Sequence, residues 1–199
     1  MVEGLALAKS ELILGGQKSG KSRRAELLAL AWLGQSPAHS AVLIATAQPW
    51  DDEMQARIAR HRADRAERVP GMQTVEEPLR LAEALASCSQ PHTLVVVDCL
   101  TLWLTNMLMP AEKLESHEQN VDLSHTALVH SAMILRAIED AAGPVVLVGN
   151  EIGLGVIPLG RETRAFVDAL GRLNQDVAQV CQCVTFMAAG LPLRLKGQP

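Results

Sequence analysis

The residues best suited to chemistry lie together near the start of the chain, in Gly-Gly-Gln-Lys-Ser-Gly-Lys-Ser at positions 15–22. Their spacing fits G-x-x-x-x-G-K-[ST], the pattern of loops that bind nucleotide phosphates. Glycines let the backbone wrap closely around an anion, and N–H groups at the start of a following helix face it. We predict that Lys21 contacts the terminal phosphates and that the Ser22 hydroxyl holds Mg²⁺. The predicted nucleotide-binding residues here are Gly15, Gly16, Gln17, Lys18, Ser19, Gly20, Lys21 and Ser22.

The segments on either side decide between this site and an ordinary surface turn of glycine, serine and lysine. Before the loop, residues 11–14 form a short apolar run typical of a buried strand. After it, residues 22–33 carry apolar side chains among good helix formers. Because a phosphate-binding loop needs a strand, a glycine-rich turn and a helix in this order, we favour nucleotide binding.

A second candidate is the carboxylate of Asp98, which ends the apolar run Thr-Leu-Val-Val-Val-Asp at 93–98. A carboxylate at the end of a buried parallel strand can hold Mg²⁺ directly or through water. Alone, it would be an ordinary strand end. Beside a phosphate-binding loop, it predicts the second ligand of a magnesium site.

The third candidate is His61, in a predicted helix where five of the chain's 13 arginines fall within residues 57–68. A solvated face with ion pairs would explain the arginines alone. However, His61 recurs with Met54 and Ile58 at helical spacing, so the imidazole leans toward the apolar face. Nearby cations disfavour its charged form, and a neutral imidazole can attack a phosphorus atom that arginines hold. Both roles, structural and nucleophilic, stay open on these residues alone.

The remaining patterns predict the elements that position these groups. Ser40–Ala47 reads as a buried strand whose end, 45–47, lies at the carboxyl edge of the sheet, where ligands of open α/β sheets bind. We predict helices and strands that alternate along the chain, with a helix opening at Asp51 and a final hairpin turned at Gly190. The further predicted segments are a helix within 74–86, an exposed loop or short helix at 111–124, a helix at 128–142, a strand at 145–148, a loop at 149–158, a helix at 161–178, and strands at 180–189 and 191–196.

These elements predict an α/β protein with a P-loop nucleotide-binding fold. Residues 1–199 are expected to form a single domain, because the length suits one α/β unit with a sizeable core. Its mainly parallel central sheet should be flanked by helices and carry an antiparallel C-terminal edge, formed by the final hairpin.

Composition narrows the class further. A net charge of −4 and a pI of about 5.9 argue against a general nucleic-acid binder. No apolar run approaches the roughly 20 residues of a membrane span, and residues 1–10 do not resemble a targeting segment. The four cysteines form no C-x-x-C pair, so we expect reduced core thiols and a cytoplasmic location; Cys181 and Cys183 would share a face of one strand.

The polar residues after the strands argue against a regulatory GTPase. Such a protein should show D-x-x-G after the strand that ends at Asp98, but Cys-Leu-Thr follows. It should also show N-K-x-D near the fourth strand, whereas Asn150 is followed by Glu151 and Ile152. We expect Asn150 and Glu151 to face the nucleotide or its acceptor, and a small-molecule kinase remains.

At this point the residues carry a family resemblance. The chain resembles the bifunctional adenosylcobinamide kinase / adenosylcobinamide-phosphate guanylyltransferase family of cobalamin biosynthesis. The matching segments appear in family order over most of residues 11–180. They are the loop at 15–22, Ala-Thr-Ala at 45–47, Asp-Asp-Glu-Met at 51–54, Arg-Ile-Ala-Arg-His-Arg at 57–62, Thr-Val-Glu-Glu-Pro at 74–78, Asp-Cys-Leu-Thr at 98–101, Asn106, Asn-Glu-Ile-Gly at 150–153, Val-Ile-Pro at 156–158 and Gly-Arg-Leu-Asn-Gln at 171–175.

The resemblance implies two reactions that share nucleotide substrates and Mg²⁺. The aminopropanol hydroxyl of adenosylcobinamide is phosphorylated by ATP or GTP, and GMP is then transferred from GTP to that phosphate. It implies that His61 carries GMP covalently, that a corrinoid is the other substrate, and that the protein is a homo-oligomer. The positions that fall where the family contacts GTP are Ala45, Thr46, Ala47, Arg62, Ala63, Asp64, Arg65, Glu76 and Asp98.

Two other functions stay open at this level. One is a different P-loop small-molecule kinase in which His61 is structural. The other is an inactive relative that only binds nucleotide, although intact Lys21, Ser22, His61 and Asp98 count against it.

Overall fold

A computed structural model describes residues 7–109 and 123–197, and the side chains of 123–127 are outside the description. The predicted polar segment at 111–124 therefore lies almost wholly outside the described residues. The strands are β1 (Ser10–Gly15), β2 (Ser40–Ala45), β3 (Gln73–Glu76), β4 (Thr93–Asp98), β5 (Val145–Asn150), β6 (Cys183–Ala188) and β7 (Leu191–Lys196). The helices are α1 (Lys21–Leu33), α2 (Asp52–Arg68), α3 (Leu81–Cys88), α4 (Leu100–Leu108), α5 (Leu123–Glu139) and α6 (Arg161–Val180).

The strands form one sheet in the order β3-β2-β4-β5-β1-β6-β7. All pairs are parallel except β6 with β7, which is antiparallel. This confirms the predicted α/β fold with a mainly parallel sheet and an antiparallel C-terminal edge. Because β5 lies between β1 and β4, the ends of these three strands meet at the carboxyl edge, with Gly15 opposite Asn150 and Asp98 opposite Val148.

Continuous apolar runs form the central strands because helices cover both faces of the sheet. On one face, α1 packs with alternate residues of the central strands, including Ile13, Val96 and Val148. On the other face, α3, α4, α5 and α6 pack against the residues between them, including Leu12, Val97 and Leu147. The parity of a strand residue therefore decides whether its side chain lies on the α1 face or on the α6 face.

Three predictions of local structure are wrong. Strand β3 was not predicted, because its four residues are all exposed and lack an apolar pattern. Cys181 follows α6 and only Cys183 lies on β6, so the two do not share a face of one strand, although both are buried and free. The helix predicted at 128–142 was expected to be amphipathic with Leu128 among its apolar residues, but Leu128 is 59% exposed.

Among the described residues, no helix is both long and apolar enough to cross a bilayer.

Candidate active site

The predicted phosphate-binding loop joins β1 to α1, and two of its glycines cannot easily be replaced, one because of packing and one because of its backbone angle. A Cβ on Gly15 would lie 2.5 Å from the Met187 carbonyl oxygen of β6. Gly20 has φ 100°, in the left-handed region that favours glycine. The turn between β6 and β7 supports the loop from outside, since the Gly190 N–H donates to the Ser19 carbonyl oxygen at 3.0 Å. The loop is thus held from both sides before any ligand arrives.

Lys21, at the first position of α1, is only 7% exposed. Its Nζ donates to the Gly16 carbonyl oxygen at 2.6 Å, so the ammonium folds back over the loop. Burial lowers the pKa of Lys21, while Cys99 and Asp98 act in the opposite direction. A buried ammonium with few anionic partners is suited to receive phosphate oxygens, which would supply the missing negative charge.

Ser22 and Asp98 provide the oxygen donors expected of a magnesium site. Ser22 is half-buried in the first turn of α1, and Asp98 is half-buried at the end of β4. The described residues contain no group of three or more His, Cys, Asp or Glu that could hold a metal by themselves. This set fits Mg²⁺, which is usually held by one or two protein oxygens together with substrate phosphates and water.

Helix α2 brings His61 to the same edge. The helix begins where the Asp51 carboxylate accepts the Met54 N–H at 2.7 Å. Arg57, His61 and Arg65 follow one another at intervals of four, so they share one stripe of the helix. Arg57 is near enough to Lys21 to lower the pKa of that lysine, and Asp98 is near enough to Arg65 for its charge to act to raise the pKa of that arginine. His61 therefore lies along the helix between one arginine that interacts electrostatically with Lys21 and another that interacts with Asp98.

The burial pattern of α2 agrees with the predicted inner face. Met54, Ile58 and His61 are half-buried, whereas most residues between them are exposed. Burial lowers the pKa of Arg65, with Asp98 and Glu26 opposing the shift. No residue of α2 is fully buried, however, so the helix lies on the surface of the domain rather than within its core.

The other predicted nucleotide contacts fall into two groups. Ala45 and Ala47 are half-buried at the end of β2, and Arg62 pairs with Glu76 across to β3. Ala63 is exposed, and Asp64 pairs with Arg68 at 3.4 Å. The first group shares the carboxyl edge with the loop, whereas the Asp64 carboxylate is directed along its own helix.

Thr46 is wholly buried, and its hydroxyl is already used. Its Oγ1 donates to the Cys99 carbonyl oxygen at 2.8 Å and accepts the Cys99 N–H at 2.9 Å. Its carbonyl oxygen accepts Nδ2 of Asn106 at 2.8 Å. These bonds join the end of β2 to the end of β4, so the Thr46 side chain fixes the backbone beside Asp98.

Comparisons with known proteins identify the family of this chain. The family model described as "Cobinamide kinase / cobinamide phosphate guanyltransferase" matches residues 11–195. The chain belongs to this family. It is 46% identical over 189 residues to the bifunctional adenosylcobalamin biosynthesis protein CobP of Pseudomonas aeruginosa, covering 95% of this chain and 98% of that protein. It is 35% identical to the bifunctional adenosylcobalamin biosynthesis protein CobU of Escherichia coli, covering 93% and 98%, and 34% identical to that of Salmonella typhimurium, with the same coverage.

The structure also shows supporting contacts of three residues that the sequence did not indicate. Gly190 is visible in the sequence as a turn, but its contact with Ser19 depends on how β6 packs beside β1. Arg57 is one of five arginines between residues 57 and 68, and the fold brings it near enough to Lys21 for its charge to lower the pKa of that lysine. Asn106 was noted only as a match to the family, and its two backbone acceptors, Thr46 and Pro78, are far away in the chain.

Proposed function

We propose that this protein phosphorylates the aminopropanol hydroxyl of adenosylcobinamide, with ATP or GTP as donor. It then transfers GMP from GTP to adenosylcobinamide phosphate and gives adenosylcobinamide-GDP and pyrophosphate. Membership of the family supports the pair of activities. The observation that carries the residue assignment is the stripe of Arg57, His61 and Arg65 on α2, because the charge of Arg57 acts on Lys21 and that of Asp98 acts on Arg65.

For phosphoryl transfer, the loop binds the nucleotide phosphates with its N–H groups and with Lys21. The acceptor hydroxyl oxygen forms a bond to the γ-phosphorus, the bond from that phosphorus to the β-phosphate oxygen breaks and releases the nucleoside diphosphate, and the hydroxyl proton passes to water. Ser22 and Asp98 would hold Mg²⁺, which neutralises charge on the phosphate oxygens. Lys21 stabilises the same oxygens, and its burial strengthens that interaction.

For GMP transfer, a nitrogen of the His61 imidazole attacks the α-phosphorus of GTP. The N–P bond forms, the bond to the bridging oxygen of pyrophosphate breaks, and pyrophosphate leaves. An oxygen of adenosylcobinamide phosphate then attacks the same phosphorus and releases the histidine. Arg57 and Arg65 flank His61 and would stabilise the charge that develops on the α-phosphate oxygens.

The deciding experiment is mass spectrometry of the protein after incubation with GTP. We expect the mass of GMP on the peptide that contains His61. GTP labelled at the α-phosphorus should tag the protein, and GTP labelled at the γ-phosphorus should not. The tag should withstand alkali and be lost in mild acid, because it is a phosphoramidate. A stoichiometric α-label on a different residue would reject His61 as the nucleophile. Absence of any α-label would favour a simple kinase.

A cytoplasmic location and a homo-oligomeric state, both expected from the sequence, stay predictions. Cell fractionation and light scattering of the purified protein would test them.

A further inference from the structure

The carboxyl end of β5 lies at the centre of the active-site edge. Strand β5 pairs with β1, which leads into the phosphate-binding loop, and with β4, which ends in Asp98. Asn150, the last residue of β5, is level with Gly15 and two residues beyond Val148, the partner of Asp98. Its position is therefore between the loop and the predicted metal ligand, where the terminal phosphate of a bound nucleotide would lie.

The backbone of Asn150 is fixed on both sides. Its N–H donates to Oγ1 of Thr101 at 2.8 Å, and its carbonyl oxygen accepts Nδ2 of Asn174 at 3.1 Å. Thr101 is 8% exposed and Asn174 is 4% exposed, so both partners are themselves buried. The next residue, Glu151, donates its N–H to the Gly15 carbonyl oxygen at 3.1 Å. The strand end is thus tied to α4, to α6 and to the first residue of the loop.

The side-chain amide of Asn150 is available to bind a ligand. Val146 and Val148 pack with α1, and side chains alternate along a strand, so Asn150 lies on the α1 face. The loop leads into α1 and lies at this face. Asp98 is two residues after Val96, which packs with α1, so Asp98 lies on the same face. Within residues 7–109 and 123–197, the hydrogen bonds made by Asn150 use its backbone atoms. A half-buried amide on a rigid backbone has the properties of a preorganised hydrogen-bond donor.

We propose that the side-chain amide of Asn150 binds the γ-phosphate of the nucleotide and distinguishes triphosphate from diphosphate. This inference rests on the proposed function, because it assumes that the nucleotide lies along the loop. Asn150 donates from Nδ2 to a γ-phosphate oxygen. After phosphoryl transfer that oxygen is on the product, so the contact favours the donor triphosphate over the diphosphate that must leave.

The test compares Asn150→Ala and Asn150→Asp with the wild-type protein by titration calorimetry, using a non-hydrolysable ATP analogue and ADP with Mg²⁺. Asn150→Ala should weaken analogue binding roughly 10- to 100-fold, the effect of one hydrogen bond to a charged group. Asn150→Asp should weaken it further, because it places a carboxylate against the γ-phosphate while keeping the shape. Binding of ADP should change little in both variants. Gln175→Ala, which removes an exposed amide from α6, is the matched control and should bind both nucleotides as the wild type does.

The outcomes separate this inference from the function on which it rests. Equal losses for the analogue and ADP, or an Asn150→Asp variant that binds the analogue like the wild type, would show that Asn150 only shapes the strand end. A wild-type protein that binds neither nucleotide would reject the proposed function itself. A wild-type protein that binds both and still fails to phosphorylate adenosylcobinamide would reject the substrate and leave the γ-phosphate contact standing on the variants' result.

Discussion

The two regions that carry the proposed half-reactions are built in opposite ways. The phosphate-binding loop follows the buried strand β1, and its Lys21 is 7% exposed. Helix α2, which carries His61, has no fully buried residue and crosses the sheet edge on the surface. A loop fixed by the core can preorganise charge for phosphoryl transfer. Substitutions on a surface helix usually change stability little, so losses of activity there report mainly on chemistry.

The largest difference should appear at His61. His61→Ala should abolish the α-phosphate tag and GMP transfer, because no other group in the stripe is a nucleophile. The kinase half-reaction should persist, since Lys21 and Asp98 remain. The unfolding free energy should fall by no more than about 1 kcal/mol, because His61 is only half-buried on a helix with no fully buried residue. Each half-reaction would be assayed separately, with prepared adenosylcobinamide phosphate as acceptor for the second.

His130→Ala is the control for His61, because it removes another half-buried histidine from a different helix. It should retain both activities. If His61→Ala lost both half-reactions together, the two regions would not be functionally separate and the comparison would fail.

Lys21→Ala tests the loop, and here the kinase half-reaction is the one that should be lost. It should lower the kinase kcat by about 10²- to 10³-fold, the effect of removing one preorganised group that stabilises transition-state charge. The fold should survive, because the lysine folds over the loop and makes its hydrogen bond to Gly16 rather than to the core. Lys9→Ala removes a lysine outside the site and should act like the wild type. A Lys21→Ala variant with wild-type turnover would refute the loop as the phosphoryl-transfer site.

Behind the loop, a buried ion pair predicts the largest loss of stability. Glu11 is wholly buried, and its Oε1 accepts from Nη2 of Arg24 at 3.0 Å and from Oγ1 of Thr185 at 2.7 Å. Arg24→Ala would leave this carboxylate unpaired, so we expect a loss of about 3–5 kcal/mol in urea unfolding. Arg136→Ala, which breaks an exposed pair with Asp140, should lose less than about 1 kcal/mol.

A double variant sharpens the same prediction. Glu11→Leu with Arg24→Met removes both charges and should recover most of the loss, because the cost comes from one uncompensated buried charge. Equal unfolding midpoints for Arg24→Ala and Arg136→Ala would mean that the pair beneath the loop contributes no more than a surface pair.

The two regions also differ in how much of them could be predicted. The loop could be identified from Gly15 to Ser22 because strand, turn and helix are all local patterns. The inner face of α2 followed from helical periodicity at Met54, Ile58 and His61, which the burial pattern agrees with. Which arginines interact with Lys21 and Asp98 could not be predicted from periodicity, since the packing of the whole helix decides the positions of Arg57 and Arg65.

Contacts between distant parts of the chain could not be predicted from the sequence either, because they also depend on how whole elements pack. Gly190 reaches Ser19 only because β6 pairs with β1, and Asn174 reaches Asn150 only because α6 packs over β5. Strand β3 was not predicted because the apolar pattern of a strand reflects its burial, and all four residues of this edge strand are exposed. What the sequence specifies locally is thus the chemistry of each segment, whereas distances between segments depend on the completed sheet.

The smallest expected effect concerns the thiols, which, like the two regions, differ from one another in burial. Burial raises the pKa of Cys99, next to Asp98, to about 12, and that of Cys181 also to about 12, whereas Cys88 is half-buried. A thiol whose pKa is raised on folding stabilises the fold below its ordinary value of 9.0, and this stability is lost as the pH rises from there toward 12. Urea midpoints should therefore fall between pH 9 and pH 10.5, and fall less in Cys99→Ala. At pH 8, iodoacetamide should modify Cys88 before Cys99 or Cys181, as read by peptide mass spectrometry. Equal pH dependence in the wild type and Cys99→Ala would show that the thiol beside Asp98 ionises as readily in the folded chain as in the unfolded one, and that this side of the active site is open to water.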